Sequence, residues 1–182
     1  VDVGCVICFP TKNLGALGDA GLIVTQNESL AEKIKKLRVH GQTSRYSHEM
    51  IGDNCRMDTL QAAYLRVFLP RLESWLTRRR EIAAFYDRRL AELEKTFAVQ
   101  KVSPGDRHTY HQYTILVKRG ARESLASFLT SQGVHNTVYY PIPCHKQKAL
   151  APFGFGEQIF VEAERASARV ISIPIHPCLT DE

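Results

Sequence analysis

The apolar and polar positions at the start of the chain predict two strands followed by an amphipathic helix. Apolar runs over residues 3–9 and 21–26 predict strands on either side of a glycine-rich segment. Apolar residues then recur at helical spacing from about residue 30 to 38, after Ser29 and Glu32, which together fit a capping box. These elements form only the edge of an α/β layer, so we expect much of the larger domain to lie outside this chain.

The middle of the chain predicts an irregular segment and then two consecutive helices. Residues 39–54 show little apolar periodicity and are rich in polar and ring side chains, which favours a binding loop or a partner contact. Asp58 and Gln61 resemble a second capping arrangement, and Pro70 is expected to kink or end the helix that follows. A further helix is predicted over residues 72–93, with apolar side chains typical of a core or a subunit interface.

From residue 97 onward, the pattern predicts a small domain of alternating strands and helices. The predicted strands cover residues 97–102, 110–117, 134–140 and 170–174, and the predicted helices cover residues 122–131 and 159–168. Gly133 is expected to close the first of these helices. The sequence therefore indicates a small α+β or α/β domain.

Composition narrows the candidate functions. The net charge of +5 favours anionic small molecules such as phosphates and nucleotides, because the arginines are interleaved with acidic residues and no nucleic-acid-binding module is visible. We therefore expect no nucleic-acid partner, and the absence of a long apolar stretch predicts no membrane span. Five cysteines, an odd number, suit a reducing cytoplasm. Cys5 and Cys8 have metal-like spacing, but no second pair follows, so we predict no metal site.

The candidate chemistry centres on Lys12, in the segment CFPTKNLGALGDAG at residues 8–21. Lys12 follows what we expect to be a buried strand. A lysine amine becomes nucleophilic when burial or a nearby positive charge lowers its pKa, and it then forms Schiff bases with carbonyl groups. A single loop lysine is more often a solvated surface group, so the residue type alone does not decide between these readings.

Three segments together resemble one family of enzymes. They are FPTKNLGALGDAG at residues 9–21, GDNCRMDTLQAA at residues 52–63 and VYYPIPCH at residues 138–145. All three closely resemble the pyridoxal-phosphate-dependent sugar-nucleotide aminotransferases of the DegT/StrS type, and the match covers essentially the whole chain but only the C-terminal half of a complete member.

The resemblance implies an α/β fold of the aspartate aminotransferase type, also called fold type I of the pyridoxal phosphate enzymes. Residues 1–70 would form the C-terminal edge of the large cofactor-binding domain. Residues 71–95 would form a connecting helix, and residues 96–182 the small C-terminal α/β domain.

The resemblance also implies roles for individual residues. Lys12 would hold pyridoxal 5'-phosphate as a Schiff base and later move the proton. Asn54 would reach the cofactor phosphate of the neighbouring subunit, and Arg56 would approach the phosphates of a nucleotide-sugar. Tyr139 and Tyr140 would lie near the nucleotide-sugar in the partner's active site, with Tyr139 standing where a histidine is common. A homodimer with shared active sites follows from these roles.

The implied activity is transamination of a keto-sugar nucleotide in cell-surface polysaccharide or related amino-sugar biosynthesis, with glutamate as the expected amino donor. Lys12 argues against a dehydratase, since related dehydratases carry a histidine there. Ile7 replaces a serine whose hydroxyl serves the cofactor phosphate in the family, and the lost hydrogen bond is worth roughly 1.5–3 kcal/mol. The alternative is therefore a truncated, catalytically silent member that acts at most as an interaction protein.

Overall fold

A computed structural model describes residues 2–181 and divides the chain into two compact units. The first unit is Val1–Ser74, which we call the lysine unit because it contains Lys12. The second is Trp75–Glu182, which we call the C-terminal unit. The boundary falls in the first turn of a long helix, α3 (Leu72–Ala91).

The lysine unit contains two small antiparallel sheets and two helices. Its elements are β1 (Gly4–Ile7), β2 (Gly21–Val24), α1 (Glu28–Leu37), β3 (Gln42–Ser44), β4 (Ser47–His48) and α2 (Thr59–Phe68). β1 and β2 pair so that Gly4 lies opposite Val24 and Ile7 lies opposite Gly21. The expectation that β1 is buried is wrong. Ile7 is 65% exposed because, within residues 2–181, the sheet has only these two strands and neither face is covered.

The helix predicted from residue 30 begins earlier and has a different cap. α1 begins at Glu28, and the side chain of Asn27 accepts a hydrogen bond from the backbone N–H of Leu30 at 3.0 Å. The capping box predicted at Ser29 and Glu32 is therefore wrong. Asn27 is a good N-cap residue because its short side-chain oxygen reaches the amide three residues on. Glu32 instead accepts a hydrogen bond from Lys35 at 2.7 Å.

Residues 39–54 are not wholly irregular, since β3 and β4 form a short hairpin within them. Gly41 precedes β3 with a φ of +70°, a conformation that favours glycine. A Cβ at Gly41 would also overlap the carbonyl oxygen of Met50. The prediction at Pro70 is confirmed: α2 ends at Phe68, and a single 3₁₀ turn over Leu69–Arg71 precedes α3.

The C-terminal unit is a three-stranded antiparallel sheet with helices. After α3 come β5 (Phe97–Val99), β6 (Tyr113–Val117), α4 (Arg122–Ser131), α5 (Val161–Arg169) and β7 (Val170–Ile173). The strand order is β5-β6-β7, and β6 aligns Tyr113 with Ile173 and Leu116 with Val170. The predicted bounds of α4 are confirmed, and Gly133 follows it with a φ of +74°.

The core of this unit lies against one face of the sheet. Alternate residues of β6, namely Tyr113, Ile115 and Val117, are buried, as the alternating pattern predicts. The buried core cluster consists of Ile82, Ala83, Tyr113, Ile115, Val117, Ile171 and Ile175. This cluster joins the middle of α3 to the sheet.

The strand predicted over residues 134–140 is not formed. Only Thr137 pairs, as an isolated bridge to Ser172. The amide nitrogen of Asn136 donates to the carbonyl oxygens of Ala126 and Val134, each at 3.2 Å. Asn136 therefore ties the segment to α4 and to its own backbone, which competes with a sheet ladder. None of the helices that the structure describes combines the length and the hydrophobicity needed to cross a membrane.

Candidate active site

The loop that carries Lys12 is closed onto the end of β1 by backbone hydrogen bonds. The N–H of Lys12 donates to the carbonyl oxygen of Phe9 at 2.8 Å. Cys8 is bonded on both sides: its N–H donates to Ala20 O at 2.8 Å, and its carbonyl oxygen accepts from the N–H of Ala16 at 2.8 Å. The chain therefore leaves β1, turns at Lys12 and returns beside the same strand.

Small side chains permit this return. A Cβ at Gly15 would overlap the carbonyl oxygen of Pro10, so the loop closes only with glycine at that position. Beneath the loop lies a small buried cluster of Cys8, Ala16 and Leu65, with Leu14, Ala20 and Met57 packed against it. Burial raises the pKa of the Cys8 thiol, which suits a packing role and not a reactive one.

A second element, α2, braces the loop through Gln61. The backbone N–H of Leu17 donates to Gln61 Oε1 at 2.8 Å. The capping arrangement predicted for Asp58 and Gln61 is wrong in this respect, because Asp58 is the N-cap but makes no side-chain cap bond. This loop contact is not evident from the sequence, although the two residues lie in two of the segments that carry the resemblance. Gln61 connects those segments in space.

Lys12 itself is half-buried at the turn of this braced loop. Among residues 2–181, its amine makes no side-chain hydrogen bond or ion pair. The backbone of the loop is fixed and the amine is left unengaged. This arrangement suits a lysine whose nitrogen is to form a covalent bond.

Asn54 and Arg56 are brought into direct contact in the same unit. Arg56 Nε donates to Asn54 Oδ1 at 2.7 Å, and both residues are exposed. This bond occupies the amide oxygen of Asn54, so its NH2 group and the two terminal nitrogens of Arg56 are the remaining donors. These donors suit an anion such as a phosphate.

Tyr139 and Tyr140 lie in the C-terminal unit, where their rings meet edge to face at 5.7 Å between centroids. They stand at a cleft of about 490 Å³. Its walls are mostly apolar and come from β6, the segment 139–145, α5 and β7. Tyr139 is 40% exposed and Tyr140 is 69% exposed. The structure thus groups the predicted site residues as Lys12 with Asn54 and Arg56 in one unit, and the two tyrosines in the other.

His145 is the buried polar residue of the cleft, with 8% of its surface exposed. Its Nε2 lies 3.0 Å from Glu164 Oε1 on α5. The sequence points to the tyrosines but not to this pair, since the partner of His145 is on a different element. A histidine at the end of a Pro-x-Pro turn was the available signal.

The residues present fit a pyridoxal phosphate cofactor at its point of attachment to Lys12. At the phosphate of the cofactor, one hydrogen-bonding contact is lacking because position 7 is an isoleucine. The unengaged amine of Lys12 suits covalent attachment, and the donors of Asn54 and Arg56 suit phosphate oxygens. Ile7 ends β1 with an exposed apolar side chain and has no hydrogen-bonding group to offer. No cluster of three or more histidine, cysteine or acidic side chains that could hold a metal ion occurs in the described part of the chain.

Comparisons with known proteins point to one family. The DegT/DnrJ/EryC1/StrS aminotransferase family matches residues 1–182. The chain is 44% identical to a pleiotropic regulatory protein of Geobacillus stearothermophilus, over 96% of this chain and 46% of that protein. It is 37% identical to a UDP-N-acetyl-3-dehydro-alpha-D-glucosamine 3-aminotransferase of Acidithiobacillus ferrooxidans, over 100% of this chain and 47% of that protein. The chain thus spans about half the length of these relatives.

Solved structures show the same relationship. DesV of S. venezuelae, in complex with a ketimine intermediate, matches with a TM-score of 0.90 and 37% identity, over 98% of this chain and 47% of that one. NtdA of Bacillus subtilis, with the bound cofactor PMP, matches with a TM-score of 0.88 and 31% identity, over 100% of this chain and 43% of that one. These matches confirm the predicted fold class and the family's cofactor, pyridoxal phosphate. The chain belongs to the DegT/DnrJ/EryC1/StrS aminotransferase family.

Proposed function

We propose that this chain is the lysine-bearing part of an aminotransferase that transfers an amino group to a keto-sugar nucleotide. The observation that carries the proposal is the unengaged, half-buried amine of Lys12 in a loop fixed by backbone bonds and by Gln61. The reaction class follows from that amine together with the family. Glutamate is the amino donor in this proposal, and cell-surface polysaccharide or related amino-sugar biosynthesis is the setting.

The Nζ of Lys12 has two tasks in this reaction. It holds the cofactor covalently until the amino donor arrives, and once released it accepts the proton from the donor's α-carbon as a general base. Bound pyridoxal phosphate supplies an electron sink for the electrons left on that carbon. The fixed loop backbone keeps Nζ close to the reacting carbon in both half-reactions.

The remaining predicted residues bind and orient phosphates and sugar. In our proposal Asn54 donates to the cofactor phosphate, Arg56 to the phosphates of the nucleotide-sugar, and Tyr139 and Tyr140 contact the nucleotide-sugar. They act in the active site of a second copy of the chain, so the working form is a homodimer with shared sites. The four free cysteines exposed at the surface support a reducing cytoplasm as its location.

Two relatives support the substrate class. The Acidithiobacillus ferrooxidans protein is an aminotransferase of a UDP-linked 3-dehydro sugar. A Pseudomonas aeruginosa relative, 37% identical over 97% of this chain, is a UDP-2-acetamido-2-deoxy-3-oxo-D-glucuronate aminotransferase. Both names specify a nucleotide-linked sugar with a ketone at carbon 3. We infer that the substrate of this protein belongs to the same chemical class.

A second candidate function is a catalytically silent member that acts only as an interaction protein. The exposed apolar strands β1 and β2 favour it, since Ile7 is 65% and Ile23 is 53% exposed. Apolar strand faces of this kind mark surfaces that bind another protein segment. The isoleucine at position 7, which offers no hydrogen bond to a phosphate, points in the same direction.

The deciding experiment is covalent labelling of Lys12. The purified chain is mixed with pyridoxal phosphate and reduced with borohydride, and the labelled peptide is located by mass spectrometry. We expect the label on Lys12. Lys12→Arg should abolish that label, and Lys33→Arg, the matched control on α1, should leave it unchanged. A chain that gains no label while a full-length relative is labelled in parallel would overturn the proposal and favour the silent member.

A further inference from the structure

The segment that carries Tyr139 and Tyr140 is attached to the C-terminal unit at two points. On its N-terminal side, Thr137 and Ser172 exchange backbone hydrogen bonds of 3.1 and 2.8 Å. On its C-terminal side, His145 bonds to Glu164 of α5 at 3.0 Å. Between these two points, neither tyrosine hydroxyl has a hydrogen-bond partner among residues 2–181.

The second attachment point is a small network around Glu164. Besides His145, the backbone N–H of Phe160 donates to Glu164 Oε1 at 3.4 Å, and Lys146 Nζ lies 3.7 Å from the same oxygen. The hydrogen bond from His145 is the main reason that the pKa of Glu164 is held below its usual range. Two hydrogen-bond donors and the charged amine of Lys146 therefore converge on one carboxylate oxygen at the start of α5.

His145 is also packed, and not only bonded. Its ring meets the ring of Phe160 edge to face, with 4.8 Å between the centroids. The imidazole is almost fully buried, so it can leave Glu164 only by vacating its packed position. A buried, doubly engaged side chain holds its backbone far better than an exposed one.

Local bonds transmit this anchor toward the tyrosines. The backbone N–H of Lys146 donates to Pro143 O at 3.0 Å, and the side-chain amide of Gln147 donates to Ile142 O at 3.4 Å. The residues just before His145 are thereby tied to the residues just after it. His145 lines the same cleft as the two tyrosines. A shift of His145 would therefore move the cleft wall on which the rings stand.

We propose that His145 is a positioning residue, which fixes the turn of Tyr139 and Tyr140 through Glu164 and so holds both rings at the cleft for a nucleotide-sugar. This inference rests on the proposed function, because that function makes the two tyrosines substrate contacts. It assigns His145 no contact with the substrate. The proposed effect is on binding of the nucleotide-sugar. Attachment of the cofactor to Lys12 is expected to be unaffected.

The first test is hydrogen exchange, followed by mass spectrometry, on the peptide that covers residues 139–147. In His145→Ala this peptide should exchange about tenfold faster, which is the size expected when a hydrogen bond to a charged group is lost. The β6 peptide should change by less than about twofold, since the core cluster is untouched. His145→Gln should restore most of the protection, because its side-chain nitrogen can still donate to Glu164. His176→Ala is the matched control, since His176 is an exposed histidine in the same unit whose ring bonds only to the nearby N–H of Cys178 within residues 2–181.

The second test separates positioning from a merely structural role. UDP-N-acetylglucosamine is the binding probe, and we expect His145→Ala to weaken its binding about tenfold, by loosening the turn. Borohydride labelling of Lys12 should stay within about twofold of the wild type. Recovery of probe binding in His145→Gln would support the inference.

Three results would overturn it. The first is unchanged exchange in residues 139–147 of His145→Ala. The second is an equal acceleration in β6, which would mean a general loss of structure. The third is unchanged probe binding despite a loosened turn. Absence of the Lys12 label in every variant, including the wild type, would instead overturn the proposed function, while the exchange result still decides whether His145 fixes the turn.

Discussion

Within each of the two units, a different kind of interaction provides the main stabilisation. In the C-terminal unit, seven buried side chains form one cluster between α3 and the sheet. In the lysine unit, the buried cluster has three members, and neither β1, β2 nor α1 contains a buried residue. The loop of Lys12 is held by backbone hydrogen bonds and by Gln61. Side-chain packing thus provides the main stabilisation of the C-terminal unit. The loop of the lysine unit depends instead on hydrogen bonds and on the conformations that glycine allows.

In our proposal, the loop-based unit carries the reacting amine and the packed unit carries the tyrosine contacts to the substrate. A packed core changes little when one exposed residue changes, and it provides a stable base for the cleft and its tyrosines. A loop fixed by a few hydrogen bonds can present an amine in a defined position without surrounding it with side chains. The same loop depends strongly on individual residues, because each bond or glycine carries a large share of its geometry.

The largest expected effect compares two isoleucines in strands of the two units. Ile171 in β7 is fully buried, whereas Ile23 in β2 is 53% exposed. Ile171→Ala should lower the free energy of unfolding by about 3 kcal/mol, through lost burial and the cavity left behind. Ile23→Ala should change it by less than about 0.5 kcal/mol. Hydrogen exchange of the strand amides in each unit measures both values. Equal destabilisation by the two variants would mean that the lysine unit has a core of the same kind.

This contrast also explains which features the sequence could predict. β6 and α4 follow from local periodicity: alternate residues of β6 are buried, and Leu125, Ala126 and Leu129 of α4 recur on the side that packs against the core. The contact of Gln61 with Leu17 spans 44 positions, and the contact of His145 with Glu164 spans 19. No local pattern reports such pairs. Lys12 itself is indicated by its flanking residues, through their resemblance to a known family, and not by periodicity.

The missed boundaries have a local cause. Asn27 and Ser29 are both good N-cap residues two positions apart, and only the backbone conformation decides between them. Asn27 has the extended φ and ψ of −86° and 107° that a cap requires. The strand predicted over residues 134–140 failed for a similar reason, since Asn136 uses its side chain to bond nearby carbonyls. Polar side chains that bond the backbone are ambiguous in a sequence.

The next effect concerns the glycine that closes the lysine loop. Gly15→Ala should destabilise the loop by about 2 kcal/mol, because the added Cβ meets the carbonyl of Pro10 and the backbone must move. Borohydride labelling of Lys12 should slow strongly, while exchange in β6 stays unchanged. Gly156→Ala is the matched control, since a Cβ there meets nothing closer than 4.0 Å. Normal labelling in Gly15→Ala would show that the loop tolerates other conformations.

The third effect is a pH dependence specific to the C-terminal unit. Burial, together with a hydrogen bond to Asp87 at 2.5 Å, raises the pKa of Tyr113 well above its usual value of about 10. Above pH 10 the unfolded chain releases this proton and the folded chain keeps it. The contribution of Tyr113 is therefore complete below about pH 10 and is lost as the pH rises further, by at most about 1.4 kcal/mol per pH unit.

Urea unfolding between pH 9 and pH 11, followed by circular dichroism, tests this prediction. Tyr113→Phe should reduce the loss of stability with rising pH, because the titrating hydroxyl is gone. The control is Tyr46→Phe, which removes an exposed tyrosine of the lysine unit. An unchanged pH dependence in Tyr113→Phe would show that other groups cause the loss.

The smallest effect tests whether one hydrogen bond from α2 matters to the lysine loop. Gln61→Ala removes the acceptor of the Leu17 N–H, which should cost the loop about 1 kcal/mol and raise exchange of the Leu17 amide about fivefold. Gln61→Glu is nearly the same size and keeps an acceptor oxygen, so it should retain the protection. Because the cost is small, Lys12 should still be labelled in Gln61→Ala, but more slowly than in Gln61→Glu. If the Leu17 amide exchanged at the wild-type rate in both variants, the backbone bonds of Cys8 would fix the loop without Gln61.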